Sequence, residues 1–281
     1  MKYITTSFLL AAFAVCVQAQ TVADYQPDAN GDGCIGSADI IGLLTLYGTG
    51  DCPQFTCGQP LSYQGYDYAT VQIGEQCWFA ENLRSENYLN GDIIVSGLTA
   101  SELCNTAFGA FTTYGEDGDI NCQADAPNGD ACDDEWSLSQ YGRLYNWNFV
   151  QDSRGACPSG WHVPSDEDWI ILEIELGLNA EDAISTGWRG VHGFELKETY
   201  GWRNDANGSN GSGFSGLPGG GFVDDCTSFY AAGVGGFWWT SSIGNNSNAW
   251  SRHLTEYSNS VGRDETSVES CISVRCVRDP E

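Results

Sequence analysis

Side-chain oxygens recur at metal-ligand spacing in the stretch Asp28-Ala29-Asn30-Gly31-Asp32-Gly33-Cys34-Ile35-Gly36-Ser37-Ala38-Asp39. Loop positions 1, 3, 5 and 12 are Asp28, Asn30, Asp32 and Asp39, and position 6 is a glycine, where such a loop must turn sharply. A hard cation needs that clustering. Those oxygens, the Cys34 carbonyl and a water near Gly36 would supply six ligands to calcium. Ile40, Ile41, Leu43, Leu44 and Tyr47 then form a short amphipathic helix that ends at Gly48.

This loop and helix resemble one calcium repeat of a type I dockerin, a family in which aspartate also stands at the last loop position. Dockerins carry two such repeats and grip a cohesin with their helices, whereas one is readable here. Cohesin is therefore not an expected partner. A lone loop and helix buries little, so the unit is expected to pack on the rest of the chain or on a partner.

Other residues offer chemistry with plainer readings beside it. Cys271 and Cys276 lie five apart and could form a redox pair, but cysteine density and secretion favour structural disulfides. Gly211-Ser212-Gly213-Phe214-Ser215-Gly216 fits the spelling of a phosphate-binding loop without the strand and helix that such a loop joins. His162, His192 and His253 are isolated from one another in sequence, and no nucleophile elbow or zinc-protease motif is present. Ten tryptophans invite sugar stacking. Those in strand-like segments, Trp238, Trp239 and Trp250, read as core. Trp188-Arg189 and Trp202-Arg203-Asn204, set among glycines and asparagines, read as an exposed ligand face that combines flat rings with forked donors.

The element that must position these residues is Ala156 to Leu176. Cys157 and a Pro-Ser-Gly turn lead into Trp161-His162, and Pro164 closes the extended segment. Ser165 caps a helix whose first turn carries Asp166, Glu167 and Asp168, at the dipole end that favours negative charge. Trp169, Leu172 and Leu176 form one apolar stripe, which the tail of the chain is expected to cover. The tail supplies short strands at Gly236–Ser242, Ala249–Leu254 and Ile272–Asp279. Upstream, Tyr66–Ile73 and Cys77–Leu83 read as a hairpin around Gly74-Glu75, and Asn179 caps a second short helix to Ser185. Residues 90–136, acidic and holding Cys104, Cys122 and Cys132, read as a long surface insertion.

These segments, with Tyr141–Trp147 and Phe214–Phe222, closely resemble the Fibrobacter succinogenes major paralogous domain family from about residue 63 to 279. The family implies a domain of secreted proteins with no settled activity. One early helix crossed by a late antiparallel sheet gives an α+β fold. It is similar to the C-type-lectin-like and formylglycine-generating-enzyme-like folds. By that resemblance Cys157 pairs with Cys276, and Cys226 with Cys271.

Met1-Lys2, the apolar run Phe8–Val17 and Val17-Gln18-Ala19 read as a secretory signal peptide over 1–19, with lipidation of Cys16 as the rival. The calcium unit then spans 24–48, a linker 49–60 and the large domain 61–281. Twelve cysteines fit an oxidising compartment, and removing Cys16 leaves eleven, an odd number that implies a free thiol, an intermolecular bond or a different cleavage point. The net charge of -27, from 38 acidic and 11 basic residues, disfavours nucleic acid and anionic membrane, and no stretch reads as a membrane insertion. The resulting expectation is a secreted, non-catalytic module that binds a glycan or a surface protein. An enzyme, either a cysteine oxidase or an accessory polysaccharide-degrading protein, and a purely structural surface protein are the alternatives.

Overall fold

The computed structural model describes residues 55–116, 122, 126–222, 227–245 and 247–278. The chain divides into two units, Met1–Gln54 and Phe55–Glu281. The segments expected to form a signal peptide and a calcium loop with its helix, and Cys226, lie outside the described residues. Phe55 and Cys57, expected in the linker, belong to the large unit. Phe55 meets the Trp161 ring edge-on at 5.5 Å, and Cys57 is bonded to Cys77.

The large unit is an α+β fold with few short helices and many strands. The strands, in chain order, are β1 Leu61–Tyr63, β2 Tyr66–Tyr68, β3 Thr70–Ile73, β4 Gln76–Phe79, β5 Phe111–Thr112, β6 Leu144–Asn146 and β7 Gly187–Arg189. They continue as β8 Gly219–Phe222, β9 Phe229–Ala232, β10 Gly235–Ile243, β11 Asn248–Thr255, β12 Ser258–Ser267, β13 Cys271–Ser273 and β14 Val277–Arg278. Among the described residues the main sheet runs β5-β6-β13-β8-β10-β11-β12-β7, with β9 beside β8. A smaller sheet, β14-β4-β3, holds the expected hairpin, whereas β2 pairs with β1 instead of extending that hairpin.

The expected strand Ile272–Asp279 is in fact two strands in different sheets. Between them Val274 accepts from the Leu83 amide and Cys276 from the Phe79 amide, which carries the chain across from β13 to β14. The Cys157–Cys276 disulfide fixes this crossing to the segment before the main helix, Asp166–Glu175. Cys271, expected to pair with Cys226, is a free thiol. It is fully buried in β13, between Asn146 of β6 and Phe222 of β8, and burial pushes its thiol well above the ordinary range.

Ser165 caps the main helix as its sequence dictates. Its hydroxyl accepts from the Asp168 amide at 3.1 Å, and the Asp168 carboxylate accepts from the Ser165 amide at 2.7 Å. The Asn179 cap on Ala180–Ala183 forms in the same way, accepting from the Asp182 amide. The stripe Trp169 and Leu172 is buried against Trp238 of β10, Leu254 of β11, Val261 of β12 and Val277 of β14, with Trp78 and Phe214. Burial of Leu172 alone contributes on the order of 2 kcal/mol. The tail does cover this helix.

Part of the 90–136 insertion is not surface. Leu103, Ala110, Tyr114 and Ala131 are buried in a second apolar cluster with Tyr141, Phe222 and Phe229. Its acidic composition obscured a few apolar residues at separated positions. A Cys122–Cys132 disulfide lies in the same region, and Cys104 is disulfide-bonded as well.

Candidate functional site

The two faces of β10, β11 and β12 carry different chemistry, because alternate residues point to opposite sides. On the face under the main helix, Arg252 of β11 and Arg263 of β12 are direct cross-strand partners. Like charges so placed repel. Asp166 resolves this by accepting from both, at 2.7 Å from Arg252 Nη1 and at 2.7 and 3.0 Å from Arg263 Nη2 and Nε.

Seven residues along the same helix face, Glu173 is fully buried. It accepts from Arg252 Nε at 2.6 Å and from Arg189 Nη2 at 2.8 Å, and lies 3.1 Å from His192 Nε2. Burial pushes the Glu173 carboxyl up, but His192, Arg252 and Arg189 outweigh it and leave it below the ordinary value. Arg189, expected on a ligand face, is thus an internal clamp that also donates to the Ala183 carbonyl. Trp202 is core as well, only 2% exposed, with its indole donating to the Gly216 carbonyl and Lys197 over its ring. Glycine-rich surroundings suggested exposure for both; here the glycines let buried backbones pass close together. Gly216, for one, would meet the Leu196 carbonyl at 2.8 Å if it carried a Cβ.

Arg203 is half-buried, and Asn204 is exposed and donates to Glu256 at 2.9 Å, in the turn between β11 and β12. Trp188 remains exposed, at 51%.

On the other sheet face Trp188 is not alone. Strand register puts Trp188 of β7 opposite Gly262 of β12, Gly262 opposite His253 of β11, and His253 opposite Phe237 of β10. Tyr230 of β9 continues the line. Ring centroids step 5.2 Å from Tyr230 to Phe237, 5.1 Å to His253 and 6.5 Å to Trp188. Gly262 is what lets the last step close, since a Cβ there would stand 3.3 Å from the indole. The result is one row of rings across the sheet, half-buried except at Trp188, on its edge strand.

Polar groups flank the row. Ser260 and Asp264, two residues either side of Gly262, share its face. His253 Nε2 lies 2.7 Å from Ser251 Oγ, which in turn meets Thr266 Oγ1 at 2.7 Å and donates to the Asp264 carbonyl. The Ser251 hydroxyl is fully buried, so this is a cross-strand link and not an exposed nucleophile. Burial, aided by Arg252, holds His253 down at about 4, and the row is uncharged at neutral pH.

The redox pairing of Cys271 with Cys276 is excluded by connectivity, because Cys276 is bonded to Cys157 and Cys271 stands alone. Sequence reasoning missed His253, Phe237, Tyr230 and Gly262 as a site. The Phe-Trp-Trp and Trp-Ser-Arg-His strings do show strands in which one ring faces away from the core, but the register that aligns them is not written there.

The arrangement defines a disulfide-bonded α+β domain with a sheet-borne aromatic surface. Residues 71–278 match the family described as the Fibrobacter succinogenes major domain, and the chain belongs to that family. Comparison with curated proteins and with solved structures found no match.

Proposed function

We propose that this is a secreted, non-catalytic binding module whose ligand, a neutral glycan chain, lies along the row Trp188–His253–Phe237–Tyr230. The observation that carries the reading is the row itself, with Trp188, His253 and Phe237 aligned by strand register across Gly262, Tyr230 in ring contact at the end, and hydroxyl and carboxylate groups beside it. Indole, phenyl and phenol faces suit the apolar faces of sugar rings, and the flanking polar groups suit their hydroxyls. A chain with a net charge of -27 repels anionic partners, which favours an uncharged polymer. The tilts between neighbouring rings, 47° to 67°, suit a soluble chain better than a flat crystalline face.

Secretion is supported by the disulfides. A lectin-like arrangement is part of the proposal, supported by the early helix crossing the late sheet and the disulfide that joins them.

Trp188→Ala is expected to weaken binding to soluble neutral polysaccharide by at least tenfold, on the order of an interface hot spot. Its melting temperature should stay within a few degrees of the parent, because half the side chain is already in water. Affinity electrophoresis against a panel of neutral and acidic polysaccharides decides it. Unchanged retention of the variant on every gel that retards the parent removes the row from recognition.

The calcium site at Asp28, Asn30, Asp32, Cys34 and Asp39 is part of the same proposal, as a structural support and not a ligand contact. Crowded carboxylates repel until a cation enters, so ordering of this unit should depend on metal. Calcium titration followed by circular dichroism should show a helical gain that Asp28→Ala with Asp32→Ala abolishes. An identical response in that double variant would leave the loop without a metal role.

A further inference from the structure

Between the end of the β3–β4 hairpin and the segment 198–217 lies a cleft of about 300 Å³, near the lower end of the range for small-molecule sites. Its floor includes Arg275, whose side chain is fully buried. That guanidinium donates through Nε to Asn82 Oδ1 at 2.9 Å, through Nη1 to the Phe79 and Phe214 carbonyls, and through Nη2 to the Ser215 carbonyl at 3.0 Å. Every one of these acceptors is neutral. A guanidinium has five N–H groups. The bonds account for four, and the fifth belongs to Nη2, on the side where Ser215 also lines the cleft.

The walls balance the floor in charge. Arg84 is held by Glu81 at 2.6 Å and by the Leu138 and Ser139 carbonyls. Glu198 is steadied by Thr199 and by Asn210 at 2.9 Å, and Tyr200, 43% exposed, follows it two residues on. Two carboxylates and two guanidiniums therefore meet in one small concavity beside a half-open phenol ring. An anion would meet Glu198, and a cation would meet Arg275. A ligand with both donors and acceptors and no net charge satisfies both signs at once.

We propose that this cleft binds a single neutral sugar ring, with Glu198 accepting from hydroxyls, Arg275 donating to one, and Tyr200 covering an apolar face of the ring. The site is separate from the aromatic row. Arg275 packs on Phe214 and Trp238, beneath the main helix, whereas the row lies on the opposite face of the sheet. The proposal shares with the preceding one only the class of ligand. A row that reads polysaccharide and a cleft that reads one residue would let the domain grip a chain and a chain end independently.

The test is calorimetric or NMR titration of the full chain with free neutral monosaccharides and their methyl glycosides, with a uronic acid in parallel. At least one neutral sugar should bind saturably. Glu198→Gln and Tyr200→Ala should each weaken that binding by tenfold or more, with the thermal melt kept as a check on folding, while Trp188→Ala leaves it unchanged. Glu198→Gln keeps the shape and one of the two acceptors, for Asn210 or for Thr199, so an unchanged melt shows that loss of binding in it is not loss of fold. Three results overturn the proposal: no neutral sugar in the panel binds, Glu198→Gln binds as the parent does, or the uronic acid binds in preference. Loss of monosaccharide binding in Trp188→Ala would instead assign it to the row. Failure of the row is read separately, from polysaccharide retention in Trp188→Ala, and leaves the cleft result standing.

Discussion

Replacing Glu173 by glutamine will destabilise the large domain by about 3–5 kcal/mol, the cost of breaking a buried ion pair from one side. The carboxylate is completely enclosed, and its partners Arg189 and Arg252 are themselves only 3% and 1% exposed at the side chain. Without it two guanidiniums remain in the interior, one of them facing Arg263 across the strand pair. Asp166 neutralises that second encounter but does not reach Arg189. Urea denaturation at neutral pH measures the loss. Glu175→Gln, at an exposed position two residues on, should stay within about 0.5 kcal/mol and serves as the control.

The pH dependence has a defined sign. Glu173 titrates below its ordinary 4.5 in the folded chain, so the unfolded chain takes up the proton first as pH falls. Its contribution is complete above 4.5 and is lost as pH drops through the lower folded value. The parent should therefore lose stability over that acid window more steeply than Glu173→Gln does. A cost under about 1 kcal/mol for the substitution would mean that water reaches the cluster and that the clamp on the main helix is weaker than its burial implies.

Removing the Cys157–Cys276 bond by a double serine substitution should cost about 5 kcal/mol if loop entropy governs, because it closes 119 residues of sequence. The same relation gives about 3.3 kcal/mol for Cys57–Cys77, with a separation of 20, and about 2.7 kcal/mol for Cys122–Cys132, with a separation of 10. The ranking is the sharper expectation. Guanidinium melts of the three double variants, read against the parent, test it. Equal losses in all three would show that the long link spans a region already ordered in the unfolded chain. Cys271 should resist alkylation in every folded variant and react once the domain is unfolded, since its thiol is enclosed in the central strands.

Local rules reached a definite depth in this chain. Ser165 and Asn179 announced their helices because a cap is satisfied within three residues, and the Trp169–Leu172 stripe announced that something must cover it. The α+β class, the hairpin at Gly74-Glu75 and the family were legible for the same reason: each rests on short motifs in order. The longest strand, β12, was not read as one, because Ser258–Ser267 is polar on both faces and owes its place to pairing with β11.

What tertiary structure alone decided is the fate of side chains with two plausible homes. Trp188 and Trp202 stand in similar strings of glycine and arginine, yet one lies on an edge strand in water and the other beneath Lys197 in the core. Arg189 reads as a surface donor until Glu173, on the main helix, is brought against it together with Arg252. The row Trp188–Gly262–His253–Phe237 exists only in the register of four strands, one of which, β7, is remote in sequence from the other three. Composition and spacing fix what a residue can do, but long-range pairing decides which neighbours it does it with. Burial energies and charge pairing between distant elements set that pairing, and neither is visible along the chain.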